Sequence, residues 1–328
     1  LIETPCTVLT TGDTATAVAA NVPRSKAAEA RNCLEGAKAA DLPEGLTTVD
    51  PKTVVATEQT TLLKREDPYV LPITHANQST LEKRLFDGSY KGITDLVTKW
   101  AWPTPARWVT QVCATAGISP NQVTGMSWLL ALLATFLFFQ GHFAWGLMVG
   151  WIMTFLDTVD GKLARVTVSY TQFGNLFDHV LDLLHPPFWY LAWAVGLTQS
   201  GMELLGFSLT TTAWLLVAGY ILGRVAEGLF SAVIAGFSVF AWRPIDSYSR
   251  LVTARRNPCL IMLTLGALAG RPDVGLLAVL LWTLLSTVFL WLRVGAAWYE
   301  KRKLGSLESW VGAGDTSKTS LAYRWFVR

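Results

Sequence analysis

The chain has 328 residues, 51% of them hydrophobic and 16% charged, with 15 Trp and a mean hydropathy of +0.35. A soluble domain carries charge on about a quarter of its residues, so this composition excludes a wholly soluble protein. The net charge of +3 is small and says little about nucleic acid, and no nucleic-acid partner is expected.

Residues 1–75 read as a small extramembrane α/β domain that does no chemistry. The Val- and Thr-rich runs "PCTVLTT" and "TVVATEQTTLL" suit strands, and "SKAAEARNCLEGAKAA", led by Ser25 as cap, suits a helix between them. Gly12, Gly36 and Gly45 are scattered and form no phosphate loop. Residues 76–119 mix Lys and Arg with Trp100, Trp102 and Trp108, a composition expected of a linker helix lying in the headgroup plane. The four cysteines, Cys6, Cys33, Cys113 and Cys259, lack metal-ligand spacing and read as isolated small hydrophobes.

From Trp108 to Leu156 there is no Asp, Glu, Lys or Arg, which suits two membrane spans joined by a turn. Six apolar segments follow one another near 124–142, 143–165, 174–198, 208–240, 257–271 and 273–298. The fold expected is therefore mainly α: a polytopic membrane domain of six transmembrane helices over 120–304, followed by a cytoplasmic tail over 305–328. Gly219, Gly223, Gly228, Gly236 and Gly266 would let these helices approach closely.

Basic residues gather in alternate connections: Lys162 and Arg165, then Arg243, Arg250, Arg255 and Arg256, then Lys301, Arg302 and Lys303. By the positive-inside rule both termini face the cytoplasm, in an integral protein of the plasma membrane (the inner membrane in a bacterium).

The chemistry is concentrated in "DTVDGKLARVTVSYTQFGNLFDHVLD". Asp157 and Asp160 stand at i and i+3 on the second span, and Asp178 and Asp182 at i and i+4 on the third, so each pair shares a helix face. Four carboxylates converging in or beside a membrane require positive charge. Oxygen donors with no Cys nearby point to a hard cation, Mg²⁺ or Mn²⁺, and two such ions suit diphosphate chemistry. Gly161 and Gly174 would leave room for a nucleotide or a neighbouring helix. Lys162 and Arg165 either contact phosphates or sit among headgroups.

This stretch resembles the signature of the CDP-alcohol phosphotransferases, D-x2-D-G-x2-A-R followed after a gap by G-x3-D-x3-D. Asp157, Asp160, Gly161, Ala164, Arg165, Gly174, Asp178 and Asp182 fill every fixed position. The resemblance implies that Asp157, Asp160 and Asp178 bind two metal ions, with Asp182 completing the site and taking the acceptor's proton. It implies also that Gly161, Ala164 and Gly174 line a cytidine pocket, with Arg165 close by and Asp160 shared. The lead-in "GISPNQVT" is similar to the segment before the first span in many members. Extramembrane part, interfacial helix and six spans together are similar to members fused to a cytidylyltransferase-like domain, although residues 1–75 are shorter than that domain and lack its glycine-rich start.

The activity implied is transfer of a substituted phosphate group from a CDP-alcohol, CDP-diacylglycerol above all, to an acceptor hydroxyl with release of CMP, in phospholipid biosynthesis. At least one substrate would be a lipid, and a homodimer is the usual state of relatives. The alternative is an inositol-phosphate-type transferase that uses a soluble CDP-alcohol donor. A cation transporter would also place carboxylates in the membrane, but its inverted repeats would put counterparts in both halves, and here all four fall in one stretch. Arg224 and Glu227 read either as an ion pair or as part of an acceptor-phosphate contact. Arg255 and Arg256 either bind an anionic acceptor or anchor the cytoplasmic face. His185, ahead of Pro186 and Pro187, reads as a hydrogen-bonded histidine in a kinked helix.

Overall fold

The computed structural model describes residues 7–10, 17–36, 47–49, 58–59, 62–65, 69–202, 208–312 and 320–327. Strands β1 (Thr7–Thr10), β2 (Ala17–Asn21) and β3 (Thr47–Val49) form one sheet in the order β2-β1-β3, with helix α1 at Ala27–Gly36. β1 runs antiparallel to β2, pairing Thr7 with Asn21, and parallel to β3, pairing Thr7 with Thr47. The expected first strand is β1, whereas β2 and β3 carry Ala and Thr rather than a Val run and left no strong sequence signal. Ser25 lies inside a 3₁₀ turn, Arg24–Lys26, that leads into α1, and it does not cap the helix. Most of the second expected strand lies outside the described residues; its remainder pairs as β4 (Glu58–Gln59) with β5 (Lys64–Arg65).

The segment before the apolar spans is two helices, α2 (Gln78–Gly88) and α3 (Pro103–Thr115), separated by a π-helical turn at Val97–Ala101. Pro103 and Pro105 explain why a new helix starts there, since a proline is best tolerated in a first turn. Phe86 and Ala106 pack with Val123, Val159 and Leu163, which fastens both helices to the membrane domain.

The six apolar segments form α4 (Pro120–Phe139), α5 (Phe143–Val166), α6 (Gln172–Gln199), α7 (Leu209–Leu229) and, after an unexpected amphipathic helix α8 (Pro244–Val252) in the connection, α9 (Arg256–Leu268) and α10 (Pro272–Leu304); a short α11 (Leu321–Phe326) follows. Three stretches, Pro120–Phe139, Leu209–Ala235 and Pro272–Leu304, are long and apolar enough to cross a membrane by length and composition. Outward-facing Leu129, Leu132, Trp145, Trp214, Leu285 and Leu292 are each more than half exposed, a surface that suits lipid rather than water. The protein is thus mainly helical and membrane-integral.

One core joins α4, α5, α6, α9 and α10 around Trp193, Phe138, Met153 and Leu260. A second gathers Phe230, Trp242, Val294 and Phe326 where α7, α10 and α11 meet. Gly219 and Gly223 face Thr283 and Thr287 of α10, and Gly266 lies against Gly275, so these three serve close packing as expected. Gly228 faces open space, and Gly236 instead ends the π-helical turn Phe230–Ala235 in the left-handed region (φ 77°).

Candidate active site

Two helix caps set the geometry. Ser119 and Gln122 form a reciprocal capping box that starts α4: Gln122 N donates to Ser119 Oγ at 3.3 Å, and Ser119 N to Gln122 Oε1 at 2.8 Å. Thr124, one turn later, donates to Asp160 Oδ2 at 2.5 Å. At the start of α6, Gly174 N donates to Thr171 Oγ1 at 3.0 Å. Between the caps, a Cβ on Gly174 would lie 2.4 Å from Asn121 Oδ1 and 2.9 Å from Thr171 Oγ1, so a larger residue here would displace both side chains.

Asp157, Asp178 and Asp182 each bring a carboxylate oxygen within 4.8 Å of one another. Asp160 is turned toward Thr124 and stands outside that trio. Asp157 Oδ1, Asp160 Oδ1 and Asp178 Oδ1 are buried with no hydrogen-bond partner among the described residues. Such oxygens are costly to bury unless a cation satisfies them, and an all-oxygen set suits a hard divalent ion.

Two clefts flank the aspartates. The first is lined by Thr124, Asp160, Gly161, Ala164, Gly174 and Asp178, with Arg165 at its edge. The second is lined by Asp182, Tyr220, Arg224, Arg250, Arg255 and Arg256. Asp182 therefore faces one cleft while Asp160 and Asp178 face the other. Arg165 donates from Nε to the Ser89 carbonyl at 2.8 Å, which fixes it beside Gly161. Lys162 is buried, its ammonium 3.9 Å from the Tyr90 ring centroid; this cation–π contact takes it out of the lining of both clefts.

In the second cleft Arg224 and Glu227 do form an ion pair, at 2.5 Å, and Arg255 joins the same carboxylate. Arg256 bridges helices, donating to Asp182 Oδ1 at 2.7 Å and to Asp157. Arg224 Nε, Arg250 Nη1 and Arg255 Nε remain buried without a hydrogen-bond acceptor among the described residues. Helix α6 runs unbroken through Pro186 and Pro187, which lack the N–H groups that would have bonded the carbonyls of Asp182 and Leu183. Tyr220 Oη supplies the missing donor, 3.3 Å from Asp182 O and 3.1 Å from Leu183 O. His185 Nδ1 lies 2.7 Å from Leu181 O, the hydrogen-bonded histidine expected.

Sequence reasoning did not assign roles to Asn121, Thr124, Thr171 or Tyr220. The first two lie in the "GISPNQVT" lead-in, where a polar pair at the head of an apolar span was the available signal.

Carboxylates with unsatisfied oxygens, set between a glycine-walled cleft and an arginine-rich one in a membrane bundle, define an enzyme that transfers substituted phosphate groups. A family model described as CDP-alcohol phosphatidyltransferase matches residues 117–299, more than half of the chain, and the chain belongs to that family. It is similar to the archaetidylinositol phosphate synthase of Pyrococcus horikoshii, 36% identical over 81 residues, or 24% of this chain and 43% of the relative. It is also similar to the bifunctional IPC transferase and DIPP synthase of Rubrobacter xylanophilus, 29% identical over 165 residues, or 49% of this chain and 34% of the relative. The matched region thus covers less than half the length of either curated relative.

Proposed function

We propose that this protein transfers a phosphatidyl-type group from a CDP-linked lipid, CDP-diacylglycerol by preference, to a hydroxyl of a polyol phosphate, releasing CMP. The observation that carries this reading is the placement of the aspartates between two clefts of opposite character. The donor's cytidine and diphosphate would occupy the cleft of Gly161, Ala164 and Gly174, with Arg165 alongside and Asp160 and Asp178 at its inner end. Three buried guanidinium nitrogens without acceptors make the other cleft suited to a phosphate on the acceptor. The Pyrococcus horikoshii relative is named for archaetidylinositol phosphate, which favours an inositol-phosphate-type acceptor. The second reading is an inositol-phosphate-type transferase in which a soluble CDP-alcohol donates to a lipid hydroxyl.

Asp182 would take the proton from the acceptor hydroxyl, whose oxygen then forms a bond to the donor's lipid-bearing phosphorus as the bond to CMP breaks. Arg255 and Arg224 would orient the acceptor's phosphate, while Arg256 would hold the carboxylates of Asp157 and Asp182. The residues present fit Mg²⁺ or Mn²⁺, and Asp157, Asp160, Asp178 and Asp182 would hold two such ions. Bound there, the ions would neutralise the diphosphate and stabilise the departing CMP.

In the same reading α4, α5, α6, α7, α9 and α10 are the six spans of a membrane domain over 120–304. Residues 76–119 rest in the headgroup plane, and residues 1–75 form a non-catalytic domain on the cytoplasmic side. The active site, both termini and the 305–328 tail face the cytoplasm, and the working form is a homodimer. With 13 residues α9 rises only about 20 Å, so its span depends on local thinning of the bilayer.

The test is CMP release by purified protein given labelled CDP-diacylglycerol and a panel of free and phosphorylated polyols. Turnover with a polyol phosphate supports the proposal. Turnover only with a soluble CDP-alcohol and a lipid acceptor would establish the second reading.

A further inference from the structure

Three consecutive residues at the head of α9 reach into different elements. Arg255 pairs with Glu227 of α7, and Arg256 with Asp157 of α5 and Asp182 of α6. Asn257 turns the other way: its Nδ2 donates to Asp95 Oδ1 at 3.0 Å and to Thr98 Oγ1 at 3.2 Å, in the segment between α2 and α3. Asp95 and Asn257 are both buried, at 7% and 3% exposure, although 162 positions separate them.

Asp95 is itself tightly held, accepting from Val97 N at 3.0 Å, Thr98 N at 3.1 Å and Thr98 Oγ1 at 2.8 Å. Burial pushes its carboxyl up, but Arg250, Asn257 and Thr98 outweigh that and hold it below the usual carboxylate range. The bond from Asn257 is therefore charge-assisted. No side chain caps α9, so its first turn is fixed by what its residues reach outside the helix. Neighbouring residues on a helix point about 100° apart, so any rotation that loosens Asn257 also swings Arg256.

We propose that Asp95 and Asn257 are positioning residues, a latch by which the segment ahead of the membrane domain holds the first turn of α9 and so keeps the Arg256 guanidinium between Asp157 and Asp182. The proposal rests on the reading of these groups as a transfer site. It gives residues before Pro103 a part in the site that the signature motif does not contain.

The full chain in lipid nanodiscs tests it with Asn257→Ala, Arg256→Lys, the double variant and Asp95→Asn. Asn257→Ala should lower kcat for CMP release about tenfold while the acceptor KM stays within about twofold. In the Arg256→Lys background the same change should cost less than about twofold more, because the two residues act as a unit. Independent, multiplying losses would overturn the latch. So would a raised acceptor KM at unchanged kcat, which would make Asn257 an acceptor contact instead. Should Asn257→Ala fail to fold, Asp95→Asn keeps the shape and removes the charge, and its kcat loss must show the same non-additivity with Arg256→Lys. Hydrogen exchange supplies a readout free of any substrate: Asn257→Ala should speed exchange at Val97, Thr98 and the first turn of α9 together. A change confined to α9, or none, would refute the latch. If wild type releases no CMP from any CDP-lipid the functional reading fails, and the exchange result judges the latch alone.

Discussion

Arg256 and Asp182, 74 positions apart, are joined by a hydrogen bond of 2.7 Å, and the other terminal nitrogen of the same guanidinium bonds Asp157. One planar fork thus ties together carboxylates from two different helices, at the seam between the two clefts. A lysine, with one point of charge, cannot reproduce that span.

Arg256→Lys is accordingly expected to keep the fold and lose CMP release by at least about tenfold, with Arg256→Ala worse. Steady-state rates and melting temperature, measured together, check this. Near-normal turnover in Arg256→Lys would show that charge alone suffices and that the fork is dispensable.

The aspartates should separate by role. Asp157→Asn and Asp178→Asn remove oxygens from the carboxylate trio and should abolish both turnover and Mn²⁺ binding followed by electron paramagnetic resonance. Asp182→Asn, whose side chain is 51% exposed toward the second cleft, should lose turnover by about a hundredfold or more while keeping more of its donor affinity. Full activity after exhaustive chelation would remove the metal from the mechanism altogether.

Gly174→Ala tests the crossing of α4 and α6. The added methyl would lie 2.4 Å from Asn121 Oδ1 and 2.9 Å from Thr171 Oγ1, so both side chains would have to shift, and Thr171 would be pushed off its cap. The KM for the CDP-linked donor should rise about tenfold or more. Adding Asn121→Ala should recover part of the loss; no recovery would mean that the glycine serves some other contact.

Lys99 supplies a pH signature outside the membrane spans. Burial pushes its ammonium down to about 8, and its Nζ donates to the Gly92 carbonyl at 2.9 Å. In the unfolded chain a lysine titrates near 10.4, so the folded state disfavours the charged form. The resulting penalty is complete below about pH 8 and disappears as the pH rises toward 10.4. Thermal stability should therefore gain a rising component across that window in wild type and lack it in Lys99→Met. Identical profiles for the two proteins would show that Lys99 titrates normally.

Much of this site could be read from residues alone. The spacing of Asp157, Asp160, Asp178 and Asp182 puts each pair on one helix face whatever surrounds it, because a helix repeats every 3.6 residues. The apolar runs likewise set the ends of α4, α5 and α6 to within a few residues, whereas the run expected over 208–240 ends as an α-helix at Leu229 and gives way to the π-helical turn Phe230–Ala235. By contrast the segment 76–119, expected as one helix, stops at Gly88 and resumes after Asp95, which accepts from Val97 N and Thr98 N at the start of the π-helical turn. Asn257, far along the chain, donates to the same carboxylate, and no local pattern announces that partner.

That carboxylates meet in a membrane protein follows from period, polarity and span length, which are local properties of the chain. Which way each charge turns depends on the packing of distant helices. That packing placed Lys162 on Tyr90, Arg256 between two aspartates and Asn257 against Asp95. The reason is energetic: a buried charge must find a partner, and the partner is whichever group the packing of distant helices brings within about 3 Å.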